Sequence, residues 1–372
     1  MKIGLDVRLW RASTGGIGRY SRNLLKELLR LDLENHYVAI LTPEDEKEFT
    51  LSAENLSKLV VDIPHFSFSE QRNLVGVLEK EHFDLVHFCN FNHPIRYHRP
   101  FVVTVHDLIM HLYPMGAQRK SPLRRWACKT VMNDCRRAEQ VIVPSQATKK
   151  DLVTMLNFPS EKITVTEEGS EESFFRLHSE AEKKAIKEKF GLPERYLLFV
   201  SRWERYKGLP ALLEAFEQLS KKYPDLGLVI SGKPDKQSPD VAQAVRAAQQ
   251  ERKNVFTPGF VSDEELAALY SAATVYVHPS WYEGFGIMIL EAFASGVPVV
   301  TSNISSLPEV VGDAGLLVNP RDPNRLAKEI SRLLDDRELA ARLVKKGFER
   351  VKRYSWKRMA EETLAIYRKI LG

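Results

Sequence analysis

Short runs rich in β-branched and aromatic residues alternate with longer stretches of helical periodicity along almost the whole chain. In the first half, strands are expected near Lys2–Val7, Tyr37–Leu41, Leu59–Asp62, Leu85–Phe88, Phe101–Val105, Gln140–Val143 and Ile163–Thr166. Helices are expected between them, at Ile17–Leu31, Glu70–Glu81, Pro122–Ala138 and Ser145–Leu156. The second half continues the alternation, with strands near Tyr196–Val200, Leu226–Ile230, Val255–Thr257, Thr274–Val277, Val297–Val300 and Gly315–Val318. Its helices include Leu209–Lys222, Ser262–Ala272, Ile287–Ser295 and Pro323–Arg332. Ser262 and Glu265 form a capping box that fixes the start of one of them. Strand and helix in strict alternation predict an α/β fold built on parallel sheets.

Between the halves, Glu167–Glu194 is rich in charge and poor in apolar pattern apart from Phe174-Phe175, and a domain boundary is expected there. A length of 372 residues also favours two domains over one. The expected division is 1–170, 171–354 and a terminal segment 355–372, whose Trp356, Met359, Ala360, Leu364, Ile366 and Tyr367 recur at helical spacing. No short internal repeat is visible.

Composition then narrows the class. The chain is 44% hydrophobic and 28% charged, the balance of a soluble globular protein. Cys89, Cys128 and Cys135 offer neither a disulfide framework nor a CxxC metal spacing, which fits a reduced cytoplasm. Met1-Lys2-Ile3-Gly4-Leu5-Asp6 enters a strand at once, so no signal peptide is expected, and no apolar run approaches the ~20 residues that span a bilayer. A net charge of +5 is compatible with phosphorylated ligands or an anionic membrane surface at the inner face. With no zinc-finger spacing, RNP-like motif or long basic tail, nucleic acid is not an expected partner. The oligomeric state is not written in the sequence.

The stretch from His278 to Ala292 concentrates the chemistry. The expected buried strand Thr274–Val277 leads into it, a loop carries Glu283, Gly284, Phe285 and Gly286, and an apolar helix follows with Glu291 inside it. Such a turn brings the bare N–H groups of Gly286, Ile287 and Met288 to a helix N-terminus, where the dipole favours a phosphate. Carboxylates accept hydrogen bonds from hydroxyls, so Glu283 and Glu291 suit a sugar and a ribose on either side of it. The plainer alternative is an ordinary βα turn with two exposed glutamates. Arg202 and Lys207 follow the first strand of the second half, where open α/β sheets bind ligands, and two cations there suit a diphosphate. By themselves they would read as a solvated basic loop. Gly16-Ile17-Gly18 lacks the third glycine of the dinucleotide fingerprint, and the loop before it is too long, which disfavours a dehydrogenase.

The segment resembles the Glu-x7-Glu signature of retaining GT-B glycosyltransferases of family four. The match continues through Ala294-Ser295-Gly296-Val297-Pro298 and Pro308-Glu309-Val310-Val311. The resemblance implies a GT-B architecture, with two Rossmann-like domains facing a central cleft and a terminal helix crossing back to the first. It implies a nucleotide-sugar donor, a glycan or lipid-linked acceptor, and same-face attack with retention. Glu283, Arg202, Lys207 and His106 then carry the chemistry, while Gly16, Gly284, Phe285, Gly286, Ile287, Met288 and Glu291 hold the donor. His106 would contact the transferred sugar, and Asp107 would orient His106 or cap the next loop. Arg19 and Tyr20 read equally as acceptor contacts or as helix-surface residues. His106-Asp107-Leu108 with Tyr113-Pro114 is similar to bacterial mannosyltransferases of O-antigen or exopolysaccharide assembly, so GDP-mannose is the expected donor. UDP-glucose, UDP-N-acetylglucosamine, a GT-B sugar-nucleotide epimerase and a silent nucleotide-sugar- or membrane-binding module remain as alternatives. The absence of any D-x-D pattern points away from a catalytic metal. One departure concerns Glu168-Gly169, which stands where many relatives carry Asn-Gly and leaves the acceptor-side contacts open.

In the expected helix after Ser121, Leu123, Trp126, Ala127, Val131, Cys135 and Ala138 share a broad apolar face, with Arg125, Lys129 and Arg136 on another and Arg119, Lys120 and Arg124 leading in. The favoured reading packs the apolar face into the core and leaves the cations in solvent. A role for those cations on anionic lipid is compatible with it.

Overall fold

The computed structural model describes residues 1–113, 121–259 and 261–372. They form two compact units, one of Met1–Glu168 with Ser355–Gly372, the other Gly169–Tyr354.

The first unit holds seven parallel strands, β1 (Lys2–Asp6), β2 (His36–Leu41), β3 (Leu56–Val60), β4 (Leu85–Phe88), β5 (Phe101–Thr104), β6 (Gln140–Val143) and β7 (Ile163–Val165). Their order is β3-β2-β1-β4-β5-β6-β7. The second holds β8 (Arg195–Val200), β9 (Leu226–Ser231), β10 (Val255–Phe256), β11 (Val275–His278), β12 (Val299–Ser302) and β13 (Leu316–Val318), in the order β10-β9-β8-β11-β12-β13. Central strands such as β4, β5, β9 and β11 are buried along their length, which is why they read as apolar runs and not as alternations. Each sheet reverses its winding direction once, between β1 and β4 and between β8 and β11. Loops at the carboxyl ends of those strands are where an open α/β sheet builds a site. The terminal helix, Trp356–Leu371, packs on the Gly16–Leu31 helix within the first unit, burying Trp356, Met359, Leu364 and Tyr367.

Several elements differ from expectation for local reasons. The last strand before the Leu307–Val311 helix begins at Val299, not Val297, because Val297 N–H bonds back to Ala292 and Pro298 has no N–H for the ladder. The charged segment before β8 contains the helix Glu180–Phe190, started by a Ser179/Glu182 capping box and closed by Gly191. Only Ile186 is buried on it, so no apolar stripe announced it. Helices at Pro239–Glu251 and Arg337–Val351 were likewise not expected.

The basic helix runs from Pro122 to Asp134. Its apolar residues do not share one buried face. Val131 and Met132 are buried, whereas Leu123 and Trp126, nearer the start of the helix, are 64% and 65% exposed. The expected core-facing stripe is therefore corrected to two faces, an inward one near the end of the helix and an outward one near its start. Arg124, Arg125 and Lys129 are exposed around the outward face, while Pro114, Arg119 and Lys120 lie outside the described residues. Among the described residues, no helix is long and apolar enough to cross a membrane.

Candidate functional site

The carboxyl ends of β8 and β11 bring two loops into backbone contact. Lys207 ends the short Arg205–Lys207 turn, and Gly208 follows at φ 77°. A Cβ at Gly208 would lie 1.9 Å from the Pro279 carbonyl oxygen, so only glycine lets the loops approach this closely. Trp281 N–H donates to the Tyr206 carbonyl at 2.7 Å, and the Ser280 hydroxyl donates to the same oxygen at 3.2 Å. Across this junction the Lys207 ammonium donates to both Glu283 carboxylate oxygens, at 2.9 Å each. His278 Nε2 lies 2.8 Å from Glu283 Oε1, and its ring lies nearly parallel to those of Phe199 and Tyr276, at 6.3 and 6.0 Å between centroids. Lys207, Glu283 and His278 are all buried. Burial alone would raise the Glu283 carboxyl. The Lys207 charge and the His278 and Lys207 hydrogen bonds outweigh it and hold the pKa down at about 2.

The backbone around Glu283 is equally fixed. Its N–H donates to the Ser305 hydroxyl at 3.1 Å, and the Ser306 hydroxyl donates to the Glu283 carbonyl at 2.9 Å. Ser305 sits at φ 61°, a left-handed conformation that these bonds hold in place. Gly286, at φ 114°, opens the Ile287–Ala294 helix, and no side chain caps it. The first backbone donors of that helix, at Ile287 and half-buried Met288, thus start beside the Glu283 loop. Gly284 is half-buried in the same loop, whereas the Phe285 ring packs against Tyr354 and serves the core.

Both glutamates are buried, which removes the reading of an ordinary turn with exposed carboxylates. They do different things. Glu291 is 1% exposed and lies beside the Tyr270 and Tyr276 phenols, which burial, with Glu291 contributing, raises well above their usual range. The two expected clamp cations also differ. Arg202 has a side chain 69% exposed, with Glu204 at 3.9 Å, while Lys207 is turned onto Glu283. Lys207 is therefore not the residue of a solvated basic loop. Sequence reasoning assigned no role to His278, Ser305 or Ser306, whose contacts with Glu283 depend on strand ends meeting.

In the first unit, Gly16 opens the Gly16–Leu31 helix with open space where a side chain would stand. Tyr20, read as an acceptor contact or a surface residue, is instead 1% exposed, its hydroxyl 3.0 Å from Thr104 Oγ1. His106 is buried at the end of β5, with Nδ1 3.3 Å from Glu168 and Nε2 2.9 Å from the Cys89 carbonyl. Asp107 caps the following turn by accepting from Ile109 N–H at 2.8 Å. Asp6, His65 and Glu70 form a group whose chemistry could bind a metal. The Arg8 guanidinium already occupies that position, donating to Asp6 and Glu70 at 2.7 Å each.

Known families match both units. The model described as Glycosyltransferase Family 4 matches residues 14–170, and that described as Glycosyl transferases group 1 matches residues 180–350. The chain belongs to the family 4, group 1 glycosyltransferases. This glycosyltransferase is 29% identical to O-antigen chain mannosyltransferase B of Escherichia coli, over 99% of its own length and 100% of the relative's. Among solved structures it resembles a sucrose-phosphate synthase of Thermosynechococcus elongatus, with TM-score 0.79, 26% identity and coverage of 100% and 99%. Anabaena HepE, solved with UDP and glucose, matches with TM-score 0.76 at 19% identity, covering 98% of each chain, a likeness of fold. The two Rossmann-like parallel sheets are those of a GT-B glycosyltransferase.

Proposed function

We propose that this glycosyltransferase moves mannose from GDP-mannose to a glycan or lipid-linked acceptor in bacterial polysaccharide assembly, with retention and without a divalent metal. The observation that carries the reading is the Glu283 carboxylate, buried and kept ionised between Lys207 and His278 at the ends of β8 and β11. A desolvated negative charge suits a transition state in which positive charge grows on the sugar carbon. The uncapped start of the Ile287–Ala294 helix, with Arg202 and Lys207, suits the departing diphosphate. Gly16 gives backbone access on the first unit, Glu291 holds the ribose, Glu283 the sugar hydroxyls, and His106 meets the transferred sugar. The acceptor attacks from the face the diphosphate leaves, and the leaving phosphate takes its proton.

The mannosyl choice is supported by the likeness to O-antigen chain mannosyltransferase B. A UDP-glucose donor is the second reading, since the same carboxylates and helix start would suit another hexose and another base. Thermal shift and slow donor hydrolysis with GDP-mannose, UDP-glucose and UDP-N-acetylglucosamine separate them. Stabilisation and hydrolysis by a UDP-sugar alone would overturn the mannosyl reading. An epimerase would convert the donor with no acceptor present.

The same reading places the protein against an anionic membrane through the start of the Pro122–Asp134 helix. Leu123 and Trp126 offer an apolar wedge, and Arg124, Arg125 and Lys129 offer the complementary charge.

A further inference from the structure

His106 has an acceptor at each ring nitrogen. Nδ1 faces the Glu168 carboxylate at 3.3 Å, and Nε2 faces the Cys89 carbonyl at 2.9 Å. A neutral imidazole carries one proton and can satisfy only one of them; the doubly protonated ring satisfies both. We infer that Glu168 is a positioning residue that holds His106 as a fixed imidazolium, so that the end of β5 presents a cation and not a proton acceptor. The functional half of this statement rests on the reading that places His106 beside the transferred sugar; the charge state does not.

Everything packed against the ring agrees with this assignment. Tyr20, from the Gly16–Leu31 helix, meets it edge-on at 4.7 Å and is itself fixed by its bond to Thr104. Thr104 Oγ1 also lies 2.8 Å from His87 Nε2, and the other nitrogen of His87 is bonded to the Tyr367 hydroxyl. His87 is fully buried without a carboxylate partner, and burial lowers its pKa to about 3, so it stays neutral and adds no competing charge. Asp107, the neighbour in sequence, contributes a second favourable negative charge. Burial works against a charged His106, and Glu168, the Cys89 carbonyl and Asp107 together outweigh it, so its pKa lies above the ordinary 6.5. Glu168 closes the Met1–Glu168 stretch of the first unit. A neutral amide there would give His106 no charge to pair with.

Nitrogen-15 NMR of histidine-labelled full-length protein, with the His106 signals assigned by a His106→Gln variant, reads the charge state directly. Wild type should show both His106 nitrogens protonated at neutral pH. Glu168→Gln should move the titration to lower pH, and Glu168→Asp should restore part of the shift. A single protonated nitrogen in wild type at pH 7 overturns the inference, as does a midpoint unchanged in Glu168→Gln. Stability gives a second readout. The pair's contribution is complete below the ordinary 6.5 and is lost as pH rises through the raised value, so the gap between wild type and Glu168→Gln should close on the alkaline side. If His106 acts in turnover, the alkaline limb of the kcat profile shifts down in Glu168→Gln. An NMR shift with no change in that profile would keep the ion pair and reject the role of His106 in transfer.

Discussion

The Lys207 ammonium lies 2.9 Å from both oxygens of Glu283, a buried ion pair that joins the loops after β8 and β11. With His278 on the same carboxylate, it makes one charged unit from residues 76 positions apart and from residues five apart. Stability therefore depends on Lys207 in a way it does not on the exposed Arg202.

Lys207→Ala should leave Glu283 with His278 alone and cost about 3–5 kcal/mol of folding stability, as expected when one partner of a buried pair is removed. Arg202→Ala, at an exposed side chain, should change stability by under about 0.5 kcal/mol. Both should lose turnover, by roughly 10²–10³ where a cation facing the leaving group is removed. Denaturant titration and steady-state kinetics check both. Turnover of Arg202→Ala within roughly threefold of wild type would remove it from the diphosphate clamp.

Glu283→Gln and Glu291→Gln should fail differently. A charge that stabilises the transition state more than the ground state acts on kcat, so Glu283→Gln should lower kcat. Glu291→Gln, at a residue assigned to the non-reacting ribose, should raise KM more than it lowers kcat. The opposite pattern would mean that the donor lies the other way round.

Acid stability should report Glu283. Its folded pKa, about 2, lies below the ordinary 4.5, so its stabilisation is complete above that ordinary value and is lost as pH falls toward 2. Wild type should lose stability through this window more steeply than Glu283→Gln. Parallel acid profiles from thermal unfolding would contradict the depressed value.

Activity should survive excess EDTA, since Arg202, Lys207 and the helix N-terminus supply the charge stabilisation in the proposed mechanism. Complete loss, restored by magnesium or manganese, would show that a metal supplies it instead.

Sedimentation with vesicles should show salt-sensitive binding to anionic lipid and little to neutral lipid, because physiological salt shortens the reach of exposed charges to ~8 Å. Trp126→Ala and the double reversal Arg125→Glu/Lys129→Glu should each weaken binding while sparing turnover on a soluble acceptor. Unchanged binding in both would return the exposed face of the helix to ordinary solvent contact.

The sequence by itself determined the class of the fold and singled out a candidate site. Strand runs buried on both faces, such as Val86–Phe88 and Val275–Val277, and the stripe of the Leu209–Lys222 helix carry their own periodicity, because burial selects residues locally. The loop from Glu283 to Gly286 is legible for a similar reason, as its glycines and carboxylates stand together in the chain. Where burial leaves little pattern, the sequence was silent, as in Glu180–Phe190 with its single buried Ile186. It also misled at the Pro122–Asp134 helix, whose apolar residues look continuous along the chain but part into an inward and an outward face. Only the tertiary structure decided which charges meet. Lys207 with Glu283 and Glu168 with His106 are pairings across strand ends, set by sheet order and not by spacing. Ion pairing depends on distance in space, and no periodicity in the chain encodes that distance.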